Sequence, residues 1–234
     1  MSLVGAGAVD GPDLGRAAGA VMTRLTRRTV EVGEPLHLAG DSLESIVWAL
    51  DRDLAAVRLP GDHERSLRAD RRVDLLVFEG GGATATPQGP GRIVQPSKLP
   101  ARRTDEGMAA LARRDVGRAA GSVTVGLTVI EVDPGRRSFP FHCHAAEEEV
   151  FYVLAGSGAV RLGSDEHAVG PGHVVARPSG TGVAHEFMAG PPGLTYLAFG
   201  ERRPGDSCFY PDSGKVSLRG LGVVFTPERT SYWP

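Results

Sequence analysis

Within GRRSFPFHCHAAEEEVFYVLAG, residues 135–156, three side chains able to bind a metal fall within eight positions: His142, His144 and Glu149. Nothing else in the chain constrains its fold as tightly. Successive side chains of a β-strand point to opposite faces, so His142 and His144 share one face while Phe141 and Cys143 take the other. After a short turn Glu149 opens an apolar run, VFYVLAG, which closes on glycine and reads as the next strand. The carboxylate can then return beside the two imidazoles. Two imidazoles and a carboxylate from neighbouring strands suit a divalent transition metal.

Composition bounds the rest. The 234 residues allow one large domain or two small ones, and 32 Gly with 17 Pro imply many short strands joined by tight turns. With 26 basic residues against 28 acidic ones, there is no basic excess to suggest nucleic acid as a partner. Two cysteines, Cys143 and Cys208, do not make a disulfide framework, so a reduced, cytoplasmic setting is expected. No apolar run approaches membrane-spanning length and no signal-type segment opens the sequence; a soluble protein is expected.

Along the chain, residues 1–21 are rich in Gly and Ala and read as a flexible arm, or as sequence upstream of a start at Met22. Residues 22–97 carry β-like runs (TRRTVEV, SIVWAL, LAAVRLPG, VDLLVFEGGG). Residues 98–120 are charged, without apolar alternation and with one helical turn at Met108–Leu111; they read as a connector over the surface. Strands resume over 121–200, and the tail, 201–234, is expected to pack on the body through LGVVF. A repeat joins the two β-rich parts: GPGRIVQPS at 89–97 echoes GPGHVVARPS at 170–179, and VDLLVFEGGG echoes EVFYVLAGSG. In the first copy the positions of the histidine pair fall near Arg68 and Asp70, which implies a structural half whose metal site is lost.

The motifs at 135–189 resemble those of the cupin superfamily. The first, glycine, H-x-H, glutamate and glycine, is matched by Gly135, His142, His144, Glu149 and Gly156, with the first spacer one residue longer than usual. The second, glycine, P-x-G and histidine, is matched by Gly172, Pro178, Gly180 and His185, while Ala189 stands where the family has asparagine. Looser resemblance to uncharacterised bacterial cupins runs from about 112 to 218. The resemblance implies an all-β jelly-roll barrel, bicupin-like if the N-terminal half is a degenerate copy. It implies one divalent metal, Mn, Fe, Zn or Ni, held by His142, His144, Glu149 and His185, with two positions left open for substrate, water or dioxygen. Glu147 and Glu148 compete for the carboxylate role, but the six-residue distance to Gly156 favours Glu149.

Bland readings cover most other candidates. His173 follows a turn and reads as an edge residue; His37, His63 and His167 have no partner pattern. Cys143 points into the wall, and Arg161, Arg177 and the basic pairs at 71–72, 102–103 and 113–114 read as solvated faces. Gly40-Asp41-Ser42-Leu43 spells an esterase signature, but the downstream aspartate and histidine are missing. The sequence therefore predicts a metal-dependent enzyme acting on a small molecule, of dioxygenase, decarboxylase, isomerase or lyase type. The alternative is a small-ligand-binding module without turnover. Cupin-type pairing through uncovered edge strands predicts a homodimer.

Overall fold

The computed structural model describes residues 3–4, 13–18, 20, 24–30, 35–36, 44–51, 53, 55–58, 67–68, 73–80, 93–228 and 230–233. In chain order they form β1 (Leu3–Val4), α1 (Leu14–Ala17), β2 (Arg24–Val30), β3 (Pro35–Leu36), β4 (Glu44–Ala49), β5 (Ala55–Arg58), β6 (Leu67–Arg68), β7 (Val73–Gly80) and β8 (Ile93–Val94). Then follow β9 (Arg102–Glu106), β10 (Ala109–Asp115), α2 (Val116–Ala119), β11 (Val125–Val132), β12 (Cys143–His144), β13 (Glu149–Leu162), β14 (Asp165–Val169), β15 (Val174–Arg177), β16 (His185–Glu201), β17 (Ser207–Tyr210), β18 (Lys215–Leu218) and β19 (Val223–Phe225). The all-β expectation holds, in a jelly-roll arrangement of antiparallel strands.

The large sheet runs β1-β15-β13-β16-β11-β10-β9, with β14 beside β13. Its central strands β11, β13, β15 and β16 carry buried apolar residues on both faces. On β11, Val125, Leu127 and Val129 pack with Leu25, Ile46, Trp48 and Phe78 of the N-terminal sheet, while Ile130 and Val132 join a second core around Phe151, Phe187 and Tyr196. The long β13 bends through register shifts on either side of Gly156. Gly156 has φ +82°, and a Cβ there would sit 2.1 Å from the Gly193 carbonyl oxygen, so the bend requires glycine.

The N-terminal sheet, β2-β7-β4-β5-β8, repeats the topology of the C-terminal one, but not in the register that the echoed turns implied. In β2-β7-β4-β5 and in β11-β16-β13-β15 alike, the first strand in sequence pairs with the fourth, the fourth with the second, and the second with the third. Thus β4, rather than β7, corresponds to β13. The ladders agree residue by residue: Leu25–Phe78–Ile46 matches Leu127–Phe199–Val150, and Phe78 meets Phe199 across the two sheets with ring centroids 5.1 Å apart. The edges agree as well. Leu3 and Val4 pair with Val175 and Val174 of the C-terminal sheet, as Ile93 and Val94 pair with Ala56 and Ala55 of the N-terminal one. A plainer repeat accompanies this, DLGRAAGAV at 13–21 against DVGRAAGSV at 115–123, in which Asp13 and Asp115 cap α1 and α2 by accepting from the Arg16 and Arg118 amides. Gly/Pro turns recur in any β-rich chain, which is why they gave the wrong register. Asp70 and the Arg68 side chain lie outside the described residues.

Three further expectations are corrected. The described part of 1–21 is not a free arm: β1 closes the β15 edge, and Leu14, Ala18 and Ala20 are buried in the core. The connector 98–120 contains a hairpin, β9–β10, that extends the sheet beyond β11; Arg102 and Arg113 hid the alternation because they face a polar cavity. The tail is anchored by β17 pairing with β12, but LGVVF at 221–225 is not the anchor, since Val224 is 60% exposed and Leu221 74%.

Candidate metal centre

The structure brings His142, His144, Glu149 and His185 to one wall of a cavity of about 630 Å³. β12 is only two residues long and is fixed from outside, by the pairing of His144 with Cys208 and by a bridge in which His142 and His185 exchange backbone hydrogen bonds of 3.2 and 2.8 Å. That bridge ties the first motif to the second. The rings of His142 and His185 lie 4.6 Å apart, those of His142 and His144 5.0 Å. One ligand atom each from His142, His144 and Glu149 fall within 4.8 Å of one another. Glu149 Oε2 lies 3.5 Å from both His144 Nε2 and His185 Nε2. Metal bonds of about 2.1 Å put neighbouring ligand atoms about 3 Å apart and opposite ones about 4 Å apart, so a cation fits this set with side-chain adjustments alone.

The tautomers favour the same reading. His142 Nδ1 lies 2.7 Å from the Pro140 carbonyl oxygen, and His144 Nδ1 lies 2.6 Å from Asp206 Oδ2. A ring that donates from Nδ1 turns its Nε2 lone pair to the cavity. The buried Nε2 of His144 and Nδ1 of His185 have no hydrogen-bond partner. A buried imidazole nitrogen left in this state is costly unless something fills it. The fit to a divalent cation is good.

Electrostatics without a cation show what the site must balance. Burial pushes His144 down, but its bonds to Asp206 and Cys208 and the nearby Glu149 charge override this and raise it to about 10. Burial depresses His142 and drives His185 well below its ordinary value, the charge on His142 adding to it. Burial works against ionised Glu149 too, yet His144, His185 and Arg177 hold it far below the usual carboxylate range. Asp206 is likewise disfavoured by burial but held down to about 2 by the His144 hydrogen bond and two backbone amides, those of Ala146 and Glu147.

Several partners of this site carry no local sequence signal. Asp206 comes from a Pro/Gly-rich turn 62 positions from His144. Arg177, read as solvated, is fully buried, with Nε 3.2 Å from Glu149 Oε2 and further bonds to the Glu147 and Pro178 carbonyls. Its register opposite Glu149 on β15 was the available clue. Glu147 bonds the Arg203 amide at 2.7 Å and the Arg219 guanidinium instead of facing the cavity, and Glu148 is buried away from it. Cys143 packs with Phe141 and Ala184, as expected. His173 accepts the Gly170 amide at 2.7 Å in its turn, and His167 sits in β14. His37, His63, residues 40–43 and the pair at 71–72 lie outside the described residues. Arg102 and Arg113 line the cavity, against expectation.

The geometry defines a barrel with a histidine-rich pocket, and comparison gives it a family. Residues 128–190 match the family model described as Cupin domain. The match covers this segment alone, and over it the chain is similar to cupin domains. Among solved structures, one from Acidithiobacillus ferrooxidans, described provisionally as a sugar phosphate isomerase, is 28% identical over 55% of this chain and 85% of its own, with TM-score 0.52. An IolB-like protein from Salmonella typhimurium aligns over 87% of this chain and 93% of its own at 15% identity and TM-score 0.62. Oxalate decarboxylase from Bacillus subtilis aligns over 76% of this chain and 68% of its own, at 12% identity and TM-score 0.52. The last two share the fold. No curated protein matches the chain. Among the described residues, no helix is long and apolar enough to cross a membrane.

Proposed function

We propose that the protein is a metal-dependent enzyme acting on a small molecule, with His142, His144, Glu149 and His185 as ligands to one divalent transition metal. The observation that carries this reading is His144: one ring nitrogen is fixed by a buried aspartate and the other is a buried, unpartnered atom facing a carboxylate and two more imidazoles. A bound metal would polarise a substrate oxygen or lower the pKa of a bound water. The chain's own residues do the rest. Asp206 fixes the His144 tautomer, Arg177 holds the Glu149 carboxylate in place, and Phe151 and Ile130 supply apolar walls beside the polar floor. The 28% identical protein described as an isomerase supports turnover over mere binding. The second reading, a binding module without turnover, is favoured by Tyr196. It is the phenol on the cavity wall, and burial raises its pKa well above the ordinary value, so it makes a poor proton carrier near neutrality.

We further infer that residues 22–97 are a degenerate second cupin half; the matched ladders of β2, β4, β5 and β7 support it. Cytoplasmic location and a homodimer belong to the same proposal. Elemental analysis of the purified protein beside a His142→Ala/His144→Ala variant tests the metal centre. About one metal per chain, lost in the variant, is expected. Equal metal content in both proteins would sink the ligand assignment.

A further inference from the structure

The β9–β10 hairpin extends the C-terminal sheet beyond β11 and has no described counterpart in the N-terminal one. Val4 and Val94 occupy matching edge positions, and Asp13 and Asp115 are matching helix caps. Yet residues 5–12 separate Val4 from Asp13, whereas residues 95–114 separate Val94 from Asp115. The added chain is the hairpin. It exists on the half that holds the histidine pocket, and it places two arginines on that pocket's wall.

Arg102 and Arg113 are direct cross-strand partners, and both line the cavity that contains His142, His144 and Glu149. Like charges directly opposite on a sheet repel. The other two arginines of the cavity are neutralised: Arg118 lies 3.3 Å from Asp115, and Arg219 bonds Glu147. Arg102 and Arg113 form no ion pair among the described residues. Asp115, the acidic group of this wall, is already engaged by Arg118 and by Arg202 at 3.2 Å. Arg113 is held in place by the Phe139 ring, 5.9 Å from its guanidinium carbon. Burial, and after it the Arg102 charge, lower the Arg113 pKa against an opposing pull from Asp115.

We propose that Arg102 and Arg113 form the anion-recognition end of the substrate cavity and that the substrate is a small molecule carrying a phosphate monoester. Two adjacent guanidiniums present two positive charges and several donors in fixed planes. A phosphate dianion matches both charges and offers three oxygens, whereas a carboxylate matches one charge with two. Arg113, Ile130, Tyr196 and Val153 stand in one row across β10, β11, β16 and β13. Three strand spacings, about 14 Å along the curved wall and less across the cavity, separate the arginine end from β13, on which Glu149 lies four residues before Val153. The phosphate therefore orients the substrate while a carbon several bonds away reaches the histidines. This inference rests on the cavity being the substrate site, as proposed above.

The test is calorimetric titration of the full-length protein with inorganic phosphate, ribose 5-phosphate, ribose and succinate, each as a probe of chemistry. Phosphate and ribose 5-phosphate are expected to bind and ribose is not. Arg102→Gln/Arg113→Gln should weaken ribose 5-phosphate at least tenfold, with part of the affinity restored in Arg102→Lys/Arg113→Lys. Metal content should be equal in all three proteins. Phosphate binding should persist in chelator-treated protein, so a chain that binds no metal but keeps arginine-dependent phosphate binding breaks the metal reading and leaves this one standing. Ribose binding as tightly as its phosphate, succinate outcompeting phosphate, or unchanged affinity in the double Gln variant would each overturn the proposal.

Discussion

The two halves of the chain share a strand order and a ladder register, yet among the described residues only the C-terminal half brings candidate ligands together. At the position that corresponds to Glu149, one residue before the matched Val150 and Ile46, the N-terminal half has Ser45. Both are paired with an arginine on the third strand, Arg177 and Arg58. Glu149 sits among three imidazoles and a buried guanidinium, whereas the Ser45 hydroxyl is buried without a hydrogen bond. The faces that meet between the sheets have stayed alike: Leu25 and Leu127, Ile46 and Val150, Phe78 and Phe199 all belong to one core. Packing between the sheets therefore constrains one face of each strand, while the inner face is free to differ between the halves.

The comparison breaks most directly at its axis. Phe78→Ala and Phe199→Ala each remove a fully buried ring from the same contact, and each should cost about 3–5 kcal/mol in denaturant unfolding. Near-equal costs are expected because each ring packs on the other. A Phe78→Ala cost below about 1 kcal/mol would mean that the N-terminal sheet is not part of the same core. Glu149→Ala comes next. It strips the carboxylate from Arg177, which then keeps only carbonyl partners; about 3 kcal/mol is expected, the low end for a broken buried ion pair, together with loss of metal. Unchanged stability would show that Arg177 is balanced by other groups.

Asp206→Asn is a smaller change. The amide cannot hold His144 as the carboxylate does, so metal affinity should fall about 10–100-fold with little change in the fold. His144 also sets the pH dependence. Its folded pKa, about 10, lies above the ordinary 6.5. In metal-free protein its contribution to stability is complete below pH 6.5 and is lost as pH rises through about 10. A cation must displace that proton, so metal uptake near pH 8 should release about one proton per site, read as a buffer-dependent heat. Release of none would mean that His144 is already neutral in the metal-free protein. In Asp206→Asn the release should shrink, because the proton is no longer held.

The candidate ligands stood out in the sequence because a metal site needs fixed residue types at fixed spacing, and strand alternation converts spacing into direction. His142, His144, Glu149 and His185 do converge on one cavity. The supporting partners were illegible for the opposite reason. Asp206 reaches His144 from a turn 62 residues away, and Arg177 is an arginine in the run VVAR, whose burial follows only once β15 is known to pair with β13 opposite Glu149. The jelly roll was legible from short apolar runs between turns. The hairpin was not, since RRTDE and AALARRD alternate between a polar cavity and solvent or core, and a polar cavity looks like solvent in a hydrophobicity pattern. The true repeat was present all along in the two Asp-x-Gly-Arg-Ala-Ala-Gly segments, whose capping role makes them more diagnostic than glycine-proline turns.

The smallest effect closes the comparison at the position where it opened. Ser45→Ala removes a buried hydroxyl that has no hydrogen-bond partner, so the fold loses no bond and is relieved of a desolvated polar group. The variant should unfold at the same denaturant midpoint or be more stable, by about 0–1 kcal/mol. That is the reverse in sign of Glu149→Ala at the matching ladder position. A loss above about 1 kcal/mol on Ser45→Ala would mean that the hydroxyl is bonded in solution, and that the N-terminal half still keeps a polar interior with a use.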